Sequence, residues 1–116
     1  MAINFWHNPR CSKSRQALAL LEEAGAEIAL RRYLDDPPSE EELRAVLALL
    51  GRPAIDIVRT EEPEFKAQGL TKDSPEDTLI AALAATPRLI ERPIAFTPDA
   101  AALGRPPEAV LDLLKD

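Results

Sequence analysis

The side chains best suited to chemistry lie close together near the N-terminus. Cys11 is the single cysteine and His7 the single histidine, and Arg10, Lys13 and Arg15 flank the thiol while the first acidic residue is Glu22. A thiol among cations ionises more readily than a free one, and the thiolate is the nucleophilic form. A lone cysteine is often a small buried hydrophobe, yet a loop broken by Asn8-Pro9 and bearing three cations is a poor place for an inert thiol. The expectation is a partly exposed, reactive Cys11. Ser14 stands where its hydroxyl either donates to the sulfur or serves an ordinary first helical turn. His7 either steadies the thiolate or makes a structural hydrogen bond at a strand end. One cysteine permits no internal disulfide, and with one histidine it permits no Cys/His zinc site, so no metal is expected. Any redox turnover at Cys11 therefore needs a thiol from outside the chain.

The basic residues are ten Arg and four Lys. In an acidic protein this preference points to an oxyanion, because guanidinium stays charged and grips two oxygens at once; a coding bias toward Arg would give the same count. The 14 basic and 20 acidic side chains leave a net charge of −6, which opposes non-specific attachment to nucleic acid or anionic membrane. The longest uncharged apolar stretch, Thr78 to Pro87, is far too short to span a bilayer. The N-terminus Met1-Ala2-Ile3-Asn4-Phe5 has no basic segment followed by an apolar one. We expect a soluble, cytoplasmic monomer. At 116 residues a chain can form one domain that hides roughly 65% of its unfolded surface.

The scaffold that must position these groups is legible as a pattern. Ile3, Phe5 and Trp6 form a first strand, stopped by Asn8-Pro9. Ala17, Leu18, Leu20, Leu21 and Ala24 recur at helical spacing from Ser12 onward, with Gly25 as a C-terminal cap. Glu27 to Leu34 reads as a second strand, which makes a βαβ unit. Ser39 and Glu42 form a capping box ahead of the stripe Leu43, Val46, Leu47 and Leu50, and Gly51 ends that helix. Ile55 to Val58 is ambiguous, and Glu61 to Gln68 fits a helical turn. Ser74-Pro75 starts another helix, with Pro at its first position, closed by Pro87. Ile94-Ala95-Phe96 and Ala100 to Leu103 follow as strands, and Pro106-Pro107-Glu108 opens a last helix carrying Val110, Leu111 and Leu114. The order is βαβ, a helical insertion at about 39–86, then ββα. It predicts an α/β protein, one domain over 1–116, with a thioredoxin-like mixed four-stranded sheet.

The run His7-Asn8-Pro9-Arg10-Cys11-Ser12-Lys13-Ser14-Arg15 resembles the active-site loop of the glutaredoxin-dependent arsenate reductase family. The likeness continues in Arg59, in Glu91-Arg92-Pro93-Ile94 and in Gly104-Arg105-Pro106-Pro107, so that it covers nearly the whole chain. The resemblance implies an oxidoreductase in which Cys11 attacks arsenate to give a thiol-bound arsenic(V) adduct. It implies that Arg59, Arg92 and Arg105 bind arsenate and then the bound arsenite, and that His7, Ser14 and Arg15 support the loop. Arg92-Pro93 matches the peptide that is cis in thioredoxin-like folds. No bound cofactor is implied; glutathione acts as co-substrate and glutaredoxin as partner, with arsenite as product. Ser12 and Lys13 stand where some members carry small residues.

Two other readings stay open at this point. One is a glutathione-dependent thiol reductase that does not act on arsenate, its arginines serving glutathione carboxylates. The other is a non-enzymatic regulator binding RNA polymerase, since proteins similar to this one do so, often with a Cys-x-x-Cys switch that this chain lacks. Arg10, Lys13, Arg31, Arg32, Arg44 and Arg88 read as ordinary surface cations.

Overall fold

The computed structural model describes residues 2–115; Met1 and Asp116, the ends of the expected domain, lie outside the described residues. The chain forms two compact units, one from residues up to Asp36 together with those from Arg92 onward, the other from Pro37–Glu91. The helices expected at about 39–86 fall within the second.

The first unit contains β1 (Ile3–Trp6), α1 (Ser12–Glu23), β2 (Ile28–Arg31), β3 (Ile94–Phe96), β4 (Ala101–Leu103) and a 3₁₀ helix over Pro107–Leu114. Its four strands form one sheet in the order β2-β1-β3-β4. β1 runs parallel to β2 and antiparallel to β3, which is antiparallel to β4. This is the mixed thioredoxin-like sheet that the element order predicts. Alternation along β1 sends Ile3 and Phe5 to one face, where they join Ala17 and Leu21 of α1, Ala95 of β3 and Val110 in a buried cluster. Trp6 points the other way and meets Phe96 edge-on, ring centroids 5.4 Å apart. The β2 strand is shorter than the expected Glu27 to Leu34, because after Arg31 the chain turns: the Arg32 carbonyl accepts from the N–H groups of both Asp35 and Asp36.

The last helix differs from the expected α-helix. A 3₁₀ helix superimposes every third residue, so Pro107, Val110 and Leu113 share one face; the first two are buried and Leu113 packs on the core. Leu114, named in the sequence among the apolar residues of that helix, is exposed.

In the second unit α2 (Glu40–Leu50) begins with the complete capping box of Ser39 and Glu42 and ends at Gly51, whose φ of 66° is the left-handed conformation that glycine adopts without strain. Leu43, Val46 and Leu47 are its buried stripe, and it packs against α4 (Glu76–Ala85) through Leu79, Ile80 and Leu83. Between them α3 is Pro63–Ala67. Pro75 is the N-cap of α4, one position earlier than expected, and the Ser74 hydroxyl accepts from the Thr71 N–H instead of capping the helix. The ambiguous 55–58 segment is a 3₁₀ turn, Ala54–Ile57, followed by an antiparallel bridge from Val58 to Ile90. That bridge, with the Arg59 N–H on the Leu89 carbonyl at 2.8 Å, shows that this unit is not purely helical. Among the described residues no helix is long and apolar enough to cross a membrane.

Gly104 follows β4 at the open end of the β3–β4 hairpin. Its N–H donates to the Pro93 carbonyl at 2.8 Å, and a Cβ there would stand 2.5 Å from Pro93 Cγ and 2.9 Å from Cδ. A rigid ring cannot yield as a flexible side chain does. Gly104→Ala is therefore expected to destabilise the protein by about 1 to 3 kcal/mol, read as a lower urea midpoint, whereas an unchanged midpoint would contradict the close approach.

Candidate active site

Cys11 sits where β1 hands over to α1. It is the N-cap of α1, with extended backbone angles, and its carbonyl accepts the first helical hydrogen bond from Arg15 N–H at 3.0 Å. The preceding loop is fixed by its own bonds. Cys11 N–H donates to the Asn8 carbonyl, Arg10 N–H to Asn8 Oδ1, and Arg15 Nη1 to the Pro9 carbonyl at 2.9 Å. No acidic residue occupies the first turn of α1, so the positive end of the helix dipole is left uncompensated beside the sulfur.

The thiol is more enclosed than expected: Cys11 is buried, with 8% of its surface exposed. A Pro-broken cationic loop suggested exposure, but the same loop folds over the residue it carries. Burial alone pushes the thiol pKa up, yet the backbone N–H of Ser14, the Arg92 guanidinium and the N–H of Lys13 outweigh it, so the pKa lies below its ordinary value. Neither amide forms a capping bond of standard geometry to the neutral thiol; both favour its anion. Ser14 thus helps through its amide, not through the hydroxyl proposed from the sequence.

That hydroxyl is used elsewhere. Buried Ser14 Oγ accepts from Asn8 N–H at 3.0 Å and shares a hydrogen with His7 Nδ1 at 2.6 Å. His7 is itself buried, and its pKa is lowered by that burial, then by the charges of Arg32 and Arg15. The ring is therefore neutral at neutral pH and holds the loop against α1. Because the unfolded chain takes up this proton more readily, the native state loses stability as pH falls through the unfolded imidazole value.

The three arginines singled out in the sequence are placed differently. Arg92 lies near enough to Cys11 to lower its pKa, and Arg105 Nε donates to the Arg92 carbonyl at 3.1 Å; both belong to the first unit. The Arg92-Pro93 peptide is cis, as the resemblance implied, and so is Arg105-Pro106, which the sequence reading did not anticipate. Arg59 lies in the second unit, where its Nη1 is 2.6 Å from Glu62 Oε1. Glu62 also pairs with Arg88 at 3.2 Å; Arg88 stays largely exposed, as expected of a surface cation in a salt bridge. The adjacency of Glu61-Glu62 to Arg59 was the available signal for this pairing.

The profile of the ArsC family matches residues 6–113, a span that includes the loop, Arg59, Arg92 and Arg105. The chain belongs to the ArsC family. Among its relatives, an arsenate reductase of Neisseria meningitidis serogroup A is 44% identical over 112 residues, covering 93% of this chain and 94% of that one. An arsenate reductase of Haemophilus influenzae is 39% identical, covering 98% and 100%. The solved structure described as arsenate reductase from Vibrio cholerae superimposes with a TM-score of 0.92 at 42% identity, over 97% and 98% of the two chains. The sheet and helices of this ArsC chain are thus those of its solved relatives along nearly their whole length.

The electrostatics make a pH prediction. The rate of Cys11 alkylation by iodoacetamide should rise with pH through a midpoint below that of a free thiol, since only the thiolate reacts. Arg92→Ala removes a hydrogen bond and a charge that favour the anion, so the midpoint should move up. Arg15→Ala should move it far less, because Arg15 binds the Pro9 carbonyl. An ordinary thiol midpoint, or one insensitive to Arg92, would contradict this account.

Proposed function

We propose that this ArsC-family protein reduces arsenate to arsenite through a Cys11-bound arsenic adduct that is resolved by glutathione and glutaredoxin. The observation that carries the reading is a buried Cys11 at the start of α1 with the Arg92 guanidinium near enough to favour its anion. The same cation that favours the thiolate would attract an anion to the nucleophile. Arsenate near neutrality is largely a dianion, and fixed guanidinium groups match both its charge and its spread of oxygens. Arg105, anchored on the Arg92 carbonyl, adds a second such group. The part given to Arg59 rests on the family resemblance, with Glu62 fixing the orientation of its guanidinium.

In the proposed reaction the Cys11 thiolate attacks arsenic, an As–S bond forms, and one arsenate oxygen leaves as water after protonation. An external thiol then attacks, two electrons pass to arsenic, and arsenite leaves as two thiol sulfurs end in a disulfide. A chain with one cysteine cannot supply the second sulfur. Glutathione and glutaredoxin provide it in this reading, and NADPH oxidation coupled through them, run with and without arsenate, is the direct test. Oxidation that does not depend on arsenate would overturn the substrate.

Cys11→Ser should abolish arsenate turnover while leaving the fold intact, since serine is close in size and is a favoured N-cap residue. Retained turnover would end the nucleophile assignment.

Each of Arg59→Ala, Arg92→Ala and Arg105→Ala should lose about ten- to a hundredfold in kcat/KM for arsenate, the equivalent of roughly 1.5 to 3 kcal/mol for a charge-assisted partner. Arg44→Ala is the control: Arg44 is an exposed partner of Asp77 in the second unit and should lose almost nothing. Arg88 makes a poorer control, because it shares Glu62 with Arg59.

A further inference from the structure

The active-site loop has a second face. On it opens a cavity of about 280 Å3, walled on one side by His7, Pro9 and Arg10 and on the other by Arg32, Leu34 and Asp35. Pro9 and Arg10 lead directly into Cys11, so the cavity shares a wall with the nucleophile's own loop. That wall is fixed, since Arg15 holds the Pro9 carbonyl and the His7–Ser14 pair is buried behind it. The opposite wall is fixed too: the Arg32 carbonyl accepts from Asp35 and Asp36 N–H at 3.0 Å, which ties Arg32 and Asp35 into one turn. Neighbouring Arg31 is engaged with Asp36. Arg32 and Asp35 are exposed, and Leu34 is among the few large apolar side chains left open to solvent.

The charges here differ from those of an oxyanion site. Two guanidinium groups and one carboxylate, with an apolar surface between them, complement a group that carries a carboxylate and an ammonium on a short aliphatic stem. That is the α-amino-acid end of a γ-glutamyl thiol. The chain requires an outside thiol in any case, because it holds one cysteine. We infer that this cavity seats the α-amino-acid end of the resolving thiol, Arg10 and Arg32 facing its carboxylate and Asp35 its ammonium, while its sulfur meets Cys11. The inference rests on the reading above that Cys11 exchanges with a glutathione-type thiol, and it assigns Arg32 and Asp35 a role that the sequence reading did not give them.

The test uses a reaction that needs no arsenate. With glutathione disulfide, the Cys11 thiolate attacks one sulfur, the S–S bond breaks, a Cys11–glutathione mixed disulfide forms and one glutathione thiolate leaves. Hydroxyethyl disulfide undergoes the same exchange with no charge to recognise. The readout is the ratio of the two second-order rates, which cancels any change in Cys11 reactivity or in the fold common to both. Arg32→Ala should lower this ratio about tenfold, and Arg32→Glu further. Asp35→Asn should lower it about threefold, and raising salt should shrink the wild-type preference. An unchanged ratio in Arg32→Ala and Asp35→Asn, or a wild-type preference insensitive to salt, would overturn the subsite. Failure of the two proposals is separable. Arsenate turnover with no disulfide discrimination overturns the subsite alone, and discrimination without arsenate turnover overturns the arsenate reading alone.

Discussion

Everything at the candidate site depends on keeping a negative sulfur in a place from which water is largely excluded. Burial opposes the Cys11 thiolate, and the first turn of α1 together with the Arg92 guanidinium must exceed that opposition for the pKa to fall. The first contribution is local to the cysteine and the second is not. The helix terminus faces the sulfur because β1 ends at Trp6 and the chain turns through Asn8-Pro9 into α1. Arg92 is near it because β3 pairs antiparallel to β1, with Ile94 opposite Trp6, which brings the two residues before β3 to the end of β1 where the loop begins. The sheet is therefore the part of the fold that brings Arg92 to the thiol.

The polar residues around the thiol divide into those that face the sulfur and those that hold the groups facing it. His7, Ser14 and Arg15 are of the second kind: they bond to the loop and to each other, and His7 stays neutral under burial and nearby cations. Gly104 acts in the same way from the other side of the hairpin, since its missing side chain lets Pro93, and hence Arg92, approach β4. Such positions tolerate little change because rigid neighbours surround them. Arg10 and Arg32, two exposed arginines of the first unit, line a cavity on the other face of the same loop.

Much of this was legible in the chain itself. The alternation of Ile3, Phe5 and Trp6, the helical repeat through Leu21, the Ser39–Glu42 box and the Ile94-Ala95-Phe96 run each encode their element locally, so the sheet and its thioredoxin-like order follow from pattern alone. Cys11 at a helix start among cations was equally legible, because the dipole and the neighbouring charges are set within a few residues. The extent of its burial was not, since composition near a residue does not reveal what folds over it.

What only the tertiary structure decided concerns partners distant in sequence or competing for one group. Whether the Ser14 hydroxyl meets the sulfur or His7 depends on where the loop places His7, and the ring takes it. Whether Arg92 comes near the thiol depends on the β1–β3 register. The 3₁₀ form of the last helix follows from the face it must present to the core, not from the α-periodicity of Val110, Leu111 and Leu114. Local elements are fixed by interactions within a turn or two of the chain, so the sequence alone determined them. Side-chain pairing across the sheet is fixed by register and packing, which exist only once the chain has folded.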